Sequence, residues 1–191
     1  VGRGLRPTST VRLRAETLPN SLAAASAGYP ALHVPFSDLI PTLDGVYTAG
    51  EWDDGSVVST TVYYDPQGEE VGRVYVKHSL ENLYVLMEQF GASGYNVYLS
   101  TGIWVNLGDY RSTSAPTGGG NRGFHSIINA GSLETHFDYP GRVQVGQSST
   151  PGHPAPHWIY EYEIPLAGLH VWPGRPLGIY FTTFDHLDDK Y

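Results

Sequence analysis

The chain contains no cysteine. That excludes disulfides, thiolate nucleophiles, iron–sulfur clusters and cysteine-based zinc sites. Methionine occurs once, and charged residues make up only 16% of the 191 residues, against about a quarter in an average domain. A helical bundle would carry more Lys, Glu, Leu and Met. Positive charge is scarce too: 11 Lys and Arg face 19 Asp and Glu, for a formal net charge of −8. The nearest thing to a basic cluster is Arg3, Arg6, Arg12 and Arg14, strung along the N-terminal stretch. Nucleic acid, which needs a basic face, is therefore not an expected partner. No apolar run approaches the roughly 18 residues of a membrane helix. No Asn-x-Ser/Thr acceptor, HExxH, GxSxG or EF-hand pattern is present. Gly118-Gly119-Gly120 is too short for a phosphate cradle.

What is abundant is Gly (23), Pro (14) and Tyr (14), with 40% hydrophobic residues overall. Gly and Pro punctuate strands, and Tyr suits a half-buried pleated surface. A chain of this length builds one domain with a full core. It is expected to be all-β.

The pattern divides the chain into residues 1–40, an N-terminal arm, and residues 41–191, the domain. Within the arm, Val11, Leu13 and Ala15 alternate onto one face. Small residues and prolines follow in SLAAASAGYPALHVPF. This segment reads either as a floppy terminus or as an arm that docks as a strand. From Ser56 onward, period-2 alternation predicts strands over 57–65, 71–78, 82–90, 95–101, 123–131, 133–139, 142–145, 158–166 and 177–185. Residues 107–122 and 147–157 read as loops, and Leu166–Leu169 as a single helical turn. Such short strands with regular turns indicate an antiparallel β-sandwich.

Five motifs in order carry a resemblance: Asp44-Gly45, Gly50-Glu51-Trp52, LENLYVLME, YEYEIPLAGL and GIYFTTFDH. Together, from Pro41 to Asp188, they resemble the DOMON-like superfamily, and more closely family-9 carbohydrate-binding modules and their secreted archaeal and bacterial relatives. The resemblance implies a jelly-roll-like sandwich, extracellular and non-catalytic. Some members of that superfamily bind glycans, some calcium, others haem. Its modules normally continue beyond the strand matching GIYFTTFDH, whereas here a long arm precedes the domain. That contrast suggests strand donation between subunits; an arm closing its own sheet is the alternative.

Several residues carry candidate chemistry. Asp44-Gly45 reads as a tight turn, and Trp52 as a packing residue before a stacking one. Asp53 and Asp54 form one acidic turn, and Asp185, Asp188 and Asp189 another. Both could supply hard oxygens to Ca²⁺, which takes roughly six to eight; both are also ordinary solvated turns. His153 and His157 bracket Pro154-Ala155-Pro156 and are a weaker candidate for zinc or nickel. Glu161 and Glu163 alternate with Tyr160 and Tyr162 and read as a solvated face. Trp104, Trp172, Tyr110 and Tyr139 are candidate sugar platforms.

The expected function is that of a non-catalytic extracellular structural subunit. Its arm residues Val11, Leu13 and Ala15 would join copies into a filament, tube or surface layer, with calcium as the one expected cofactor. The alternative is a carbohydrate-binding module of a secreted glycan-active protein, with polysaccharide as its partner. A cell-surface or extracellular location, with any signal peptide removed, is expected in either case.

Overall fold

A computed structural model describes residues 34–53, 58–64, 69–90, 98–106, 121–129, 132–169 and 178–185. Among them lie nine strands: β1 (Val58–Tyr64), β2 (Glu69–His78), β3 (Asn82–Gln89), β4 (Tyr98–Asn106), β5 (Asn121–Asn129), β6 (Ser132–Phe137), β7 (Arg142–Thr150), β8 (His153–Pro165) and β9 (Gly178–Asp185). Leu166–Leu169 forms a 3₁₀ turn, where one helical turn was expected.

The strands make two antiparallel sheets. One has the order β1-β2-β3-β8-β7, the other β6-β5-β4-β9. A single apolar cluster draws on both. The five-stranded sheet contributes Val74, Val76, Leu83, Val85, Met87, Val143, Trp158, Tyr160, Tyr162 and Ile164, and the four-stranded sheet contributes Ile103 and Phe124. Met87, the one methionine, is thus a core residue.

The opposite face of the five-stranded sheet is buried as well. Tyr75, Tyr84, Leu86 and Ile159 form a second apolar cluster there, and Trp52 and Tyr47 pack onto it from the segment before β1. Alternation along β8 is as the sequence indicates, but both of its faces are dry. A strand covered on both sides reads as continuously buried rather than alternating, and β3 is buried from Leu83 through Gln89.

Several local outcomes differ from the sequence reading: β4 runs on to Asn106, past the expected end at 101, and β2 starts at Glu69, before the expected 71. Residues 147–157 are not a loop. β7 runs on to Thr150, a two-residue turn follows, and β8 starts at His153. In that turn Pro151 presets its own φ, and Gly152 supplies φ +89° at the second position, as a type II turn requires. Pro154 and Pro156 fall where β8 has run past β3, whose pairing begins at Gln89 with Trp158. Among the described residues one side of β8 is unpaired there, which is where a strand tolerates proline. β5 likewise starts at Asn121, inside the expected 107–122 loop.

The described residues begin at Val34. Phe36 makes a parallel bridge with His78. The Ser37 N–H donates to the His78 carbonyl at 2.8 Å, and the His78 N–H to the Pro35 carbonyl at 3.1 Å. Among the described residues β1 pairs β2 as far as Val76, and Phe36 takes up the edge of β2 beyond it, at His78.

Candidate functional site

The acidic stretch around Trp52 resolves into local turns. Asp44 Oδ1 accepts from the Val46 N–H at 2.9 Å, and Gly45 has φ +77°. This is the Asx-type turn expected at Asp44-Gly45. Asp53 Oδ1 accepts from the Gly50 N–H, and Glu51 Oε1 from Thr42 Oγ1 at 2.9 Å. Each carboxylate is turned to its own neighbour. Among the described residues, no three His, Asp or Glu side chains converge to hold a metal ion. Asp54, Asp188 and Asp189 lie outside the described residues, and Asp185 ends β9 opposite Leu99.

The residue that binds this stretch to the sheet is Glu161. It is 0% exposed, so its expected place on a solvated face is overturned. Its Oε2 accepts from the Asp44 and Gly45 N–H groups at 2.8 and 2.7 Å, and its Oε1 from Trp52 Nε1 at 2.9 Å. Burial raises its pKa, and the three N–H donors oppose the rise. Lys77, also fully buried, donates to the Glu51 carbonyl and lies 5.5 Å from the Trp52 ring centre. The backbones meet closely beside this point. A Cβ on Gly45 would sit 2.4 Å from the Gly146 nitrogen, so glycine is required there on spatial as well as conformational grounds. This arrangement fixes residues 44–53 across the outer face. The partners of Glu161 are all donors already engaged, so the arrangement is structural. Glu163, two residues on, is the half-exposed member of the pair and binds Arg142 at 2.6 Å.

A second polar group sits at the other end of the same face. Register places Arg73 of β2 opposite Glu88 of β3, and Glu88 opposite Ile159 of β8. His157 follows two residues before Ile159, paired with Ser148. Glu88 and His157 are 2% and 4% exposed. His157 Nε2 lies 3.8 Å from Glu88 Oε2, and His157 Nδ1 is 3.0 Å from the Ala155 carbonyl. A carbonyl only accepts, so Nδ1 carries the hydrogen and Nε2 presents a lone pair to the carboxyl group.

Phe90 covers this end of the face. Its ring stacks on His153 at 3.7 Å between centroids and meets His157 edge-on at 4.9 Å. His153 Nε2 is 3.6 Å from Glu70 Oε1, and Glu70 also holds Arg73 at 3.1 Å. The two histidine rings bracketing Pro154-Ala155-Pro156 do come together, 6.1 Å apart, but each faces a carboxylate and Phe90 rather than a common point. Burial raises the pKa of Glu88, while nearby Tyr75 and Thr150 hydroxyls oppose the rise. Burial lowers that of His157 and, with the neighbouring Glu88, raises that of the Tyr75 phenol. Sequence pattern offered one signal for this group, which was missed: the charged Glu88, with Gln89, interrupts the apolar run LYVLMEQF in a strand buried on both faces.

The aromatic candidates are dispersed. Trp104 lies in mid-β4, paired with Gly123 and Tyr180. Tyr139 is half-buried against the main core, near Gly168. Tyr110 and Trp172 lie outside the described residues, as do Val11, Leu13 and Ala15. Asp138 caps the second sheet, accepting from the Gly123 N–H at 2.8 Å. No helix among the described residues is long and apolar enough to cross a membrane. Comparison with protein-family models, with curated proteins and with solved structures finds no match.

Proposed function

We propose that the chain is a non-catalytic extracellular structural subunit that self-assembles into a filament, tube or surface layer by donating its N-terminal strand to a neighbouring subunit. With this reading goes the finer fold assignment: a jelly-roll-like sandwich of the DOMON and family-9 module type, preceded by an arm spanning residues 1–40.

The observation that carries the reading is the parallel bridge of Phe36 with His78. The last residues of the arm already extend a sheet by backbone hydrogen bonds, so a strand-like path upstream is a continuation of what they do. Phe36, Leu39, Ile40 and Leu80 are among the large apolar side chains left exposed, and three of these four lie where the arm joins the domain. Exposed apolar surface of this kind marks contact with another molecule. An acceptor edge is also present. Among the described residues β6 pairs only with β5, and its side chains from Ser132 to His136 are exposed. An unpaired edge presents N–H and C=O groups that another chain can join.

In the assembled form, Val11, Leu13 and Ala15 bury one apolar face in the neighbour, which contributes on the order of a few kcal/mol, and the backbone ladder adds to it. Calcium at Asp53, Asp54, Asp185, Asp188 and Asp189 locks the joint. Negative-stain microscopy tests this on the full chain, with and without calcium, beside a chain starting at Val34 that keeps the bridge. Polymers are expected from the full chain only, and Leu13→Asp should abolish them while leaving the fold intact. Dispersed particles in every condition would refute the assembly. The carbohydrate-binding alternative, with Trp104, Trp172, Tyr110 and Tyr139, would then be tested on glycan arrays.

A further inference from the structure

Buried polar atoms cluster at one place: the carboxyl oxygens of Glu88, which have the Tyr75 and Thr150 hydroxyls beside them, and Nε2 of His157, which has no hydrogen-bond partner. Buried polar groups are nearly always satisfied, so an open imidazole nitrogen 3.8 Å from a buried carboxyl group calls for an explanation. Glu88, His157 and Thr150 come from three adjacent strands, β3, β8 and β7. The last two form the hairpin that turns at Pro151-Gly152.

The ligand these atoms fit is small. Each is sealed from solvent, so a sugar or peptide has no access. Only Glu88 and His157 offer strong donor atoms at close range, which is too few for a structural metal. The 3.8 Å between Nε2 and Oε2 is about 1 Å longer than a hydrogen bond. With Nδ1–H committed to Ala155, the imidazole can only accept at Nε2 unless it becomes charged. One hydrogen on Glu88 makes a donor for that lone pair. A second hydrogen leaves a buried imidazolium, and none leaves a buried carboxylate.

We propose that Glu88 and His157 form a buried proton-binding site whose occupancy controls how firmly the tip of the β7–β8 hairpin is held beside the end of β3. One proton, carried by Glu88 and facing the His157 lone pair, accompanies the closed tip. Either departure from one proton favours opening, because water solvates the resulting charge.

The charged and titratable neighbours are few. β2 contributes Glu70, Arg73 and Tyr75. β8 adds His153, and the segment before β1 adds Tyr47 with Asp53 behind it. Glu70 pairs with Arg73 and lies beside His153; Arg73 favours the charged form of Glu88, Glu70 opposes it, and His153 disfavours the charged form of His157. Within this frame Glu88 and His157 are the two buried members. The two respond in opposite senses. Closed, His157 holds its proton less well than at its ordinary value of 6.5, so opening takes up a proton and grows as pH falls below 6.5. Closed, Glu88 holds its proton better than at its ordinary value of 4.5, so opening releases a proton and grows as pH rises above 4.5.

The test is amide exchange of the full chain between about pH 4 and pH 8, expressed as protection of residues 148–157 relative to intrinsic rates. In Glu88→Gln only the histidine limb remains, and protection should fall as pH drops below 6.5, by up to about tenfold per unit for one linked proton. In His157→Asn, which keeps a donor for Ala155, only the carboxyl limb remains, and protection should fall as pH rises above 4.5. In the unaltered chain the two limbs oppose each other. Identical pH courses in all three proteins, or reversed slopes, would overturn the proposal. Zinc should leave protection unchanged; a zinc-dependent gain would show that the ligand is a metal. Imidazole nitrogen NMR of the unaltered chain decides the matter should a variant not fold. The Nδ1–H form of His157 should persist to below pH 6.5, and a titration midpoint at or above that value would overturn the site.

Discussion

Replacing Glu161 with glutamine is the sharpest probe of how the outer face is held. The change alters almost no volume. It converts a group with acceptors on both oxygens into one with an acceptor and a donor. Glu161 receives three N–H groups, two on Oε2 and one on Oε1. If the amide oxygen keeps the Asp44 and Gly45 bonds, the new NH₂ confronts the Trp52 indole N–H, and both donors are left unpaired in a dry site. If the amide turns round, two backbone N–H groups are orphaned instead. Losing a hydrogen bond to a charged group and stranding a buried donor costs about 2–3 kcal/mol. For a domain of this size that lowers the thermal midpoint by roughly 4–12 °C. Urea unfolding followed by tryptophan fluorescence measures the loss. Limited proteolysis should show new cleavage within residues 42–53, because that segment loses its attachment before the sheets separate. Trp52→Phe removes the indole N–H alone, and the double variant should reveal coupling of about 1 kcal/mol or more. A Glu161→Gln loss below about 0.5 kcal/mol, with no new cleavage, would mean that apolar contact alone seats the segment and that the carboxylate is incidental.

Other outcomes follow from the same geometry. Gly45→Ala should lose about 1–3 kcal/mol from its positive φ alone, and more from the clash with the Gly146 backbone, read by chemical denaturation. Gly50→Ala has a positive φ but open space around it, so it should show the conformational cost without the clash. Phe124→Ala, at the centre of the main core, should cost about 3–5 kcal/mol. Leu133→Ala on exposed β6 should stay within about 0.5 kcal/mol, although it should weaken assembly if β6 accepts a neighbour's strand.

Much of the fold was legible because local pattern and final structure agree. Val74, Val76, Val85 and Met87 alternate and point into the core, and Asp44-Gly45 is the turn that its chemistry demands. What escaped sequence reasoning was long-range. Nothing local distinguishes Glu161 from its neighbour Glu163, since both alternate with tyrosines on one strand. Glu161 is buried because residues 44–53, more than a hundred positions earlier, lie over it. Glu163 falls beyond that cover and meets Arg142 in solvent. The same holds for His157. The two prolines just before it signalled a loop, whereas among the described residues β8 runs past the end of β3 at Gln89 and accommodates them. The Glu88–His157 site joins β3 to β8, which no spacing along the chain could reveal.

The distance along the chain between Asp44 and Glu161 also bears on how the protein is made. The segment that covers the outer face leaves the ribosome before the carboxylate that receives it, which comes 117 residues later. Until β8 emerges, Trp52 has neither its hydrogen-bond acceptor nor the Ile159 surface it packs against. Tyr75, Tyr84 and Leu86 likewise stay uncovered. Contacts of such separation are slow to form, so the nascent chain carries an open aromatic face until β8 is made.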